Sequence, residues 1–157
     1  MPKIDVDALL AVQGSTYPPP YDEPCRTRSR RRLGRAGGLA SFGVNLLTLP
    51  PGAWSSQRHW HTHQDEFVFV VEGEVVLVTD SGEERIAAGE CAAFRSGVAD
   101  GHQLVNRTQK DARVLEVGAK DRAKDRTIYA DADMVAEPGE AFFRRRDGSP
   151  YPPATQG

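Results

Sequence analysis

Between Leu39 and Ala119 the chain consists of short apolar runs, each closed within a few residues by Pro, Gly, Asp or Ser. That spacing leaves no room for long helices and suits an antiparallel sandwich or barrel. The expected strands are 41–49, 55–61, 66–71, 75–79, 84–87, 91–94, 102–106 and 113–118, with a hairpin turn at Asp80, Ser81 and Gly82. Eight such strands suit a jelly roll, and 157 residues with 11 Pro and 15 Gly favour one all-β core over two large domains. The run Phe67-Val68-Phe69-Val70-Val71 is apolar on both alternating faces. One face must line the barrel; a second sheet, the N-terminal arm or a second subunit must cover the other. We expect a homodimer.

Residues 1–38 read as an N-terminal arm, with a short helix from Ile4 to Val12 and six arginines between Arg26 and Arg35, namely 26, 28, 30, 31, 32 and 35. Such a cluster is ordinarily a solvated face. With 20 basic against 22 acidic residues, a net charge of −2 gives no long-range pull toward nucleic acid, so none is expected as a partner. Residues 120–157 read as a charged, Pro-containing C-terminal tail. Asp131 and Asp133 open like a calcium loop, but Val135, Ala136 and Phe142 fill positions that such a loop needs for ligands and Gly. Cys25 and Cys91 are too few for a disulfide scaffold, and Cys91 reads as a small core residue. A basic-then-apolar leader and a membrane-length apolar run are both missing from the sequence, so the expected location is cytoplasmic and no membrane partner is expected.

All four histidines, His59, His61, His63 and His102, fall in the expected barrel. On a strand, His59 and His61 project to one side and Trp60 to the other, so two imidazoles can share an ion. Glu66 follows across a short turn as a third ligand, and His102, preceded by Gly101 and followed four residues on by Asn106, would be the fourth. His63 has the same parity, so His61 with His63 is the alternative chelating pair. Gln57 shares the inward parity and is either a ligand-pocket residue or a buried amide satisfied by backbone.

These residues resemble the cupins, whose first motif is G-x5-H-x-H-x3-4-E-x6-G and whose second is G-x5-P-x-G-x2-H-x3-N. Gly52, His59, His61, Glu66 and Gly73 occupy the first, with six residues after Gly52; Gly89, Gly97, His102 and Asn106 occupy the second. Arg95 stands in place of the motif Pro, and four residues separate Gly97 from His102. The resemblance covers about residues 39–119. It implies a double-stranded β-helix, the cupin jelly-roll barrel, holding one divalent transition metal through His59, His61, Glu66 and His102. The rival is a barrel that keeps these side chains as structural hydrogen-bonders. Three imidazoles and a carboxylate favour Fe, Mn, Ni, Co, Zn or Cu over Mg or Ca.

Two positions left open on an octahedral ion would take a small oxygen-rich molecule. With Fe the reading is a dioxygenase; with Zn, Mn or Ni it is a sugar or sugar-phosphate isomerase that needs a base, for which His63, Asp65 and Asp100 are candidates. A third reading is a non-catalytic small-ligand sensor. Gln57, His63, Arg95 and Asn106 are the candidate pocket residues, Asn106 being otherwise a structural hydrogen-bonder that closes the barrel, and among the arginines Arg95 is the one expected near a substrate phosphate.

Overall fold

The computed structural model describes residues 3–152. In chain order its elements are β1 (Val12–Gln13), β2 (Ser29–Arg31), α1 (Leu33–Ala36), β3 (Phe42–Leu49), β4 (His59–His61), β5 (Glu66–Glu72), β6 (Glu74–Thr79), β7 (Gly82–Ala87), β8 (Cys91–Phe94), β9 (Gln103–Val105), β10 (Ala112–Ala119), β11 (Thr127–Tyr129), β12 (Val135–Ala136) and β13 (Phe143–Arg144). The all-β expectation is borne out. Pairing is antiparallel in three sheets, ordered β1-β2-β3-β10-β5-β8, β13-β12-β11-β4 and β7-β6-β9.

The core follows from strand parity. Val68 and Val70 of β5 point inward with Leu47 and Leu49 of β3, Val114 of β10, and Val75 and Leu77 of β6, and all are buried. The odd-numbered side of β5 faces out: Phe67, Phe69 and Val71 remain 38%, 37% and 47% exposed. Among the described residues neither the arm nor another sheet covers them. Gly73, at the turn between β5 and β6, has φ +77°, and a Cβ there would stand 2.8 Å from the Asp111 carbonyl, so both conformation and space require glycine.

Several local expectations are corrected. Residues 4–12 form no helix; the Asp5 carboxylate caps the amides of Asp7 and Ala8, closing a turn instead. The stretch before His59 bends rather than running as a strand from Ser55, because Trp54 and His59 each bridge singly, to Val105 and His102. Cys91 is exposed on β8, whereas Cys25 is the buried thiol.

The flanking segments join the barrel. β2 pairs with β3, and β11 pairs with β4, placing Thr127 opposite His61 and Tyr129 opposite His59. A second apolar cluster of Tyr129, Ala132 and Met134 packs against Tyr17 and Tyr21 from the N-terminal side and Phe143 and Tyr151 from the C-terminal side. Arg58, on the outer side beside β4, forms a two-pronged pair with Asp131 at 2.7 and 2.8 Å and a second bond to Asp80. Among the described residues no helix is long and apolar enough to cross a membrane.

Candidate metal centre

Two strands and one bridge bring the site together. Alternation on β4 puts His59 and His61 on one face, their ring centroids 5.0 Å apart. The His59–His102 backbone bridge, with N–H···O distances of 3.1 and 2.9 Å, sets His102 directly across from His59. Glu66 has the parity of Val68 and Val70, so it is the inward carboxylate at the start of β5.

The Glu66 Oε2 atom lies 2.9 Å from His102 Nε2, 3.4 Å from His61 Nε2 and 3.5 Å from His59 Nε2. His59, His61 and Glu66 each present a donor atom within 4.8 Å of the others. Ligands bonded at about 2.1 Å and at right angles stand about 3.0 Å apart, so the His59, His61 and Glu66 separations fit a shared transition-metal ion, while His102 meets Glu66 but stands outside that mutual 4.8 Å set. The tautomers agree. His59 Nδ1 donates to the Gln57 carbonyl at 2.8 Å, and His61 Nδ1 is bonded to the Asp125 carboxylate at 2.6 Å, which would leave each Nε2 lone pair for an ion once the Nε2 protons shared with Glu66 are displaced. The alternative pair fails on geometry: His63 is exposed, and its Nδ1 contacts Thr62 Oγ1 at 2.9 Å.

Electrostatics bind the cluster together. Burial alone would raise the Glu66 pKa, but hydrogen bonds from His102, His59 and His61 outweigh it and hold the carboxylate well below its usual range. For His61, burial opposes protonation, yet Glu66 and Asp125 override it and lift the imidazole to about 9. His102 is shifted the other way, downward, chiefly by burial. Its ring lies flat against Phe94, centroids 3.6 Å apart, and its Nδ1 is buried with no hydrogen-bond partner.

Asp125, 7% exposed, was invisible to sequence reasoning. Besides His61 it holds the His63 amide at 2.8 Å through Oδ1. Its sequence neighbourhood offers one aspartate among several, and its partner lies 64 residues away.

Two cavities flank the cluster. One, about 220 Å3, is lined by Trp60, His61, Arg95, Asp100 and His102 among others. The second, about 130 Å3, includes His59, Glu66 and His102 with Arg28, Arg30 and Gln103. The arginine segment read as a solvated face therefore turns two side chains inward. A sequence signal existed: Arg26, Arg28, Arg30 and Arg32 recur at every second residue, the period of a strand.

The remaining candidates separate. Arg95 lines the larger cavity. Gln57 is buried and donates from Nε2 to the Tyr21 carbonyl at 2.7 Å, as a structural amide does. Asn106 is no pocket residue: it is fully buried, donates to the carbonyls of Leu49 and Lys110 at 2.7 Å and accepts from the amide and hydroxyl of Thr108, which exhausts its side chain. Asp100 lines the larger cavity with its Oδ1 accepting the Asp80 amide at 2.9 Å. Asp65 instead accepts the Ser96 amide at 2.8 Å, a bond that lowers its pKa.

Residues 45–118 match the cupin domain family. A solved sugar phosphate isomerase from a cupin superfamily of Silicibacter pomeroyi is 47% identical, with a TM-score of 0.90 over 96% of this chain and 97% of that one. A tetracenomycin polyketide synthase protein of Streptomyces glaucescens is 24% identical over 136 residues, spanning 87% of this chain and 89% of that protein. The polyketide cyclase RemF of Streptomyces resistomycificus shares the fold, with a TM-score of 0.61 and 21% identity over 76% of this chain and 79% of that one. Barrel, motif and a relative at nearly half identity across almost the whole of both chains agree that this chain belongs to the cupin family.

Proposed function

We propose that this cupin holds one divalent transition metal through His59, His61, Glu66 and His102 and isomerises a small phosphorylated sugar. The observation that carries the metal reading is the meeting of three Nε2 atoms on Glu66 Oε2 at 2.9–3.5 Å. The choice of reaction is supported by the 47% identical relative described as a sugar phosphate isomerase. A bound ion would act as a Lewis acid toward a carbonyl oxygen. The protein's own part is to orient the ligands and move a proton. Asp100 is the best candidate for the proton carrier, because it lines the cavity beside His61 and His102 and only its Oδ1 has an assigned bond. His63 and Asp65 lose that role: one points to solvent and the other is held by the Ser96 amide.

The test is metal content by mass spectrometry on protein purified without chelator, followed by aldose–ketose interconversion on a panel of sugar phosphates and oxygen uptake on diketones. Stoichiometric metal with interconversion and no oxygen uptake is expected. Oxygen uptake would replace the isomerase with the dioxygenase. Tight ligand binding without turnover on any compound would make the protein a sensor.

A second copy of the chain is the occupant we propose for the exposed Phe67, Phe69 and Val71 face. Sedimentation at micromolar concentration should show a dimer, and Phe69→Glu should shift it toward the monomer. A monomeric parent chain would refute this.

A further inference from the structure

Arg28 is 5% exposed, and among the described residues its only side-chain hydrogen bond runs from Nε to the Gly14 carbonyl at 3.1 Å. The guanidinium stands 5.7 Å from the Tyr17 ring centroid, and Nη1 is buried without a partner. Among the described residues no carboxylate comes within ion-pair distance of it. A buried cation left unanswered is costly, and its retention asks for an anion.

Arg30, two residues on and of the same strand parity, differs. Glu116 grips it through two bonds of 2.7 and 2.8 Å, and its Nη2 also donates to the Ser55 carbonyl at 3.1 Å. Its charge is cancelled, so Arg28 is the cation without a carboxylate partner in the cavity that both arginines share with His59, Glu66, Glu116 and His102. Gln103 lines the same cavity, and one end of its buried amide has no partner; since the amide O and N are interchangeable in assignment, that end can present an NH2 donor. The cavity, about 130 Å3, far exceeds the ~10–15 Å3 that a single water requires. An open cleft lined by Arg30 adds Arg32, Arg35, Lys120 and Arg122, against Glu66 and Glu116, which are already engaged by the histidines and by Arg30. The field of this cleft favours anions.

We propose that Arg28, with Arg30 and Gln103 beside it, is an oxyanion subsite that receives the phosphate of the substrate, so that the rest of the molecule lies against the His and Glu cluster. Guanidinium groups suit this because their planar fork matches phosphate or carboxylate oxygens bidentately. The inference rests on the proposed function only for what the other end of the substrate meets; anion binding at Arg28 needs no metal.

Calorimetric titration of the metal-free protein with inorganic phosphate tests it. Arg28→Gln should weaken phosphate binding about 10- to 100-fold, the usual worth of a hydrogen bond to a charged group. Arg95→Ala, in the other cavity, should change it about twofold or less. No binding to the parent chain, or equal binding to Arg28→Gln, overturns the subsite, as does a loss confined to Arg95→Ala. A hexose 6-phosphate compared with a hexuronate of similar size separates phosphate from carboxylate: preference for the phosphorylated sugar supports the assignment, and preference for the hexuronate overturns it. Metal content of the parent chain as purified without chelator, measured before the ion is stripped for titration, keeps the two readings apart, since a chain that binds phosphate but is isolated without metal refutes the metal centre alone. If circular dichroism shows that Arg28→Gln is unfolded, parent crystals soaked in selenate replace it. An anomalous peak against Arg28 supports the subsite, and a map without one overturns it.

Discussion

Glu66→Gln and His102→Ala should each purify with less than about a tenth of the metal carried by the parent chain. Losing an outer partner of a metal ligand already costs about 10- to 100-fold in affinity, so losing a ligand must cost more. Glu66 is the sharper test, because the change keeps its volume and removes the one negative charge on which three imidazoles converge. It also removes the force that holds the three rings together when no ion is present, so a lower melting temperature of the metal-free variant is expected beside the metal loss. His102→Ala deletes both a donor and the ring stacked on Phe94. His63→Ala should retain most of the metal, since that side chain points to solvent. Stoichiometric metal in both Glu66→Gln and His102→Ala would sink the assignment.

The second large effect belongs to Asp125→Asn, and its size should depend on pH. In the metal-free protein, burial disfavours the His61 cation, but Glu66 and Asp125 hold its pKa up at about 9. A raised folded-state pKa means that this proton stabilises the metal-free fold fully below the ordinary value near 6.5 and ceases to do so as pH rises through about 9. A metal ion must displace the same proton, so affinity should climb about tenfold per pH unit up to 9 from this group and then level off. Asn at 125 removes the carboxylate that polarises the ring, which should cost about 10- to 100-fold in metal affinity when measured at pH 9 or above. At pH 7 the deficit should narrow, because the variant's imidazole gives up its proton more easily. Competition titrations against a chromophoric chelator at the two pH values check this. A deficit of equal size at both would show that Asp125 does not govern that proton.

Much of the barrel was legible because the alternation is clean and the breaks are chemically marked. The stretch 91–94 was placed with the observed bounds of β8, and β5, β6 and β10 fell within a residue or two of their observed limits. The pairing of His59 with His61 followed from parity, and Glu66 and His102 followed from motif spacing. What escaped was non-local. β11, β12 and β13 are two or three residues long, too short to show a period, and they exist because Thr127, Ile128 and Tyr129 find β4 across more than 60 residues of chain. Asp125 has no local mark that sets it apart from Asp121 or Asp131. Arg28 and Arg30 were read by composition as a charged face, although their two-residue spacing carried the strand signal; pairing of Arg30 with Leu47 turns that side of the segment inward.

The union of β4 with β11 has a bearing on how the protein matures. Two imidazoles are emitted early in synthesis, but the carboxylate that orients one of them lies downstream, beyond every strand of the central sheet. Domains fold as units during synthesis, and because β10 lies between β3 and β5 the barrel itself waits for residues 112–119. On the metal reading proposed above, tight capture of an ion would then wait until Asp125 has left the ribosome and its strand has docked, which would make metallation a late event in the life of each molecule.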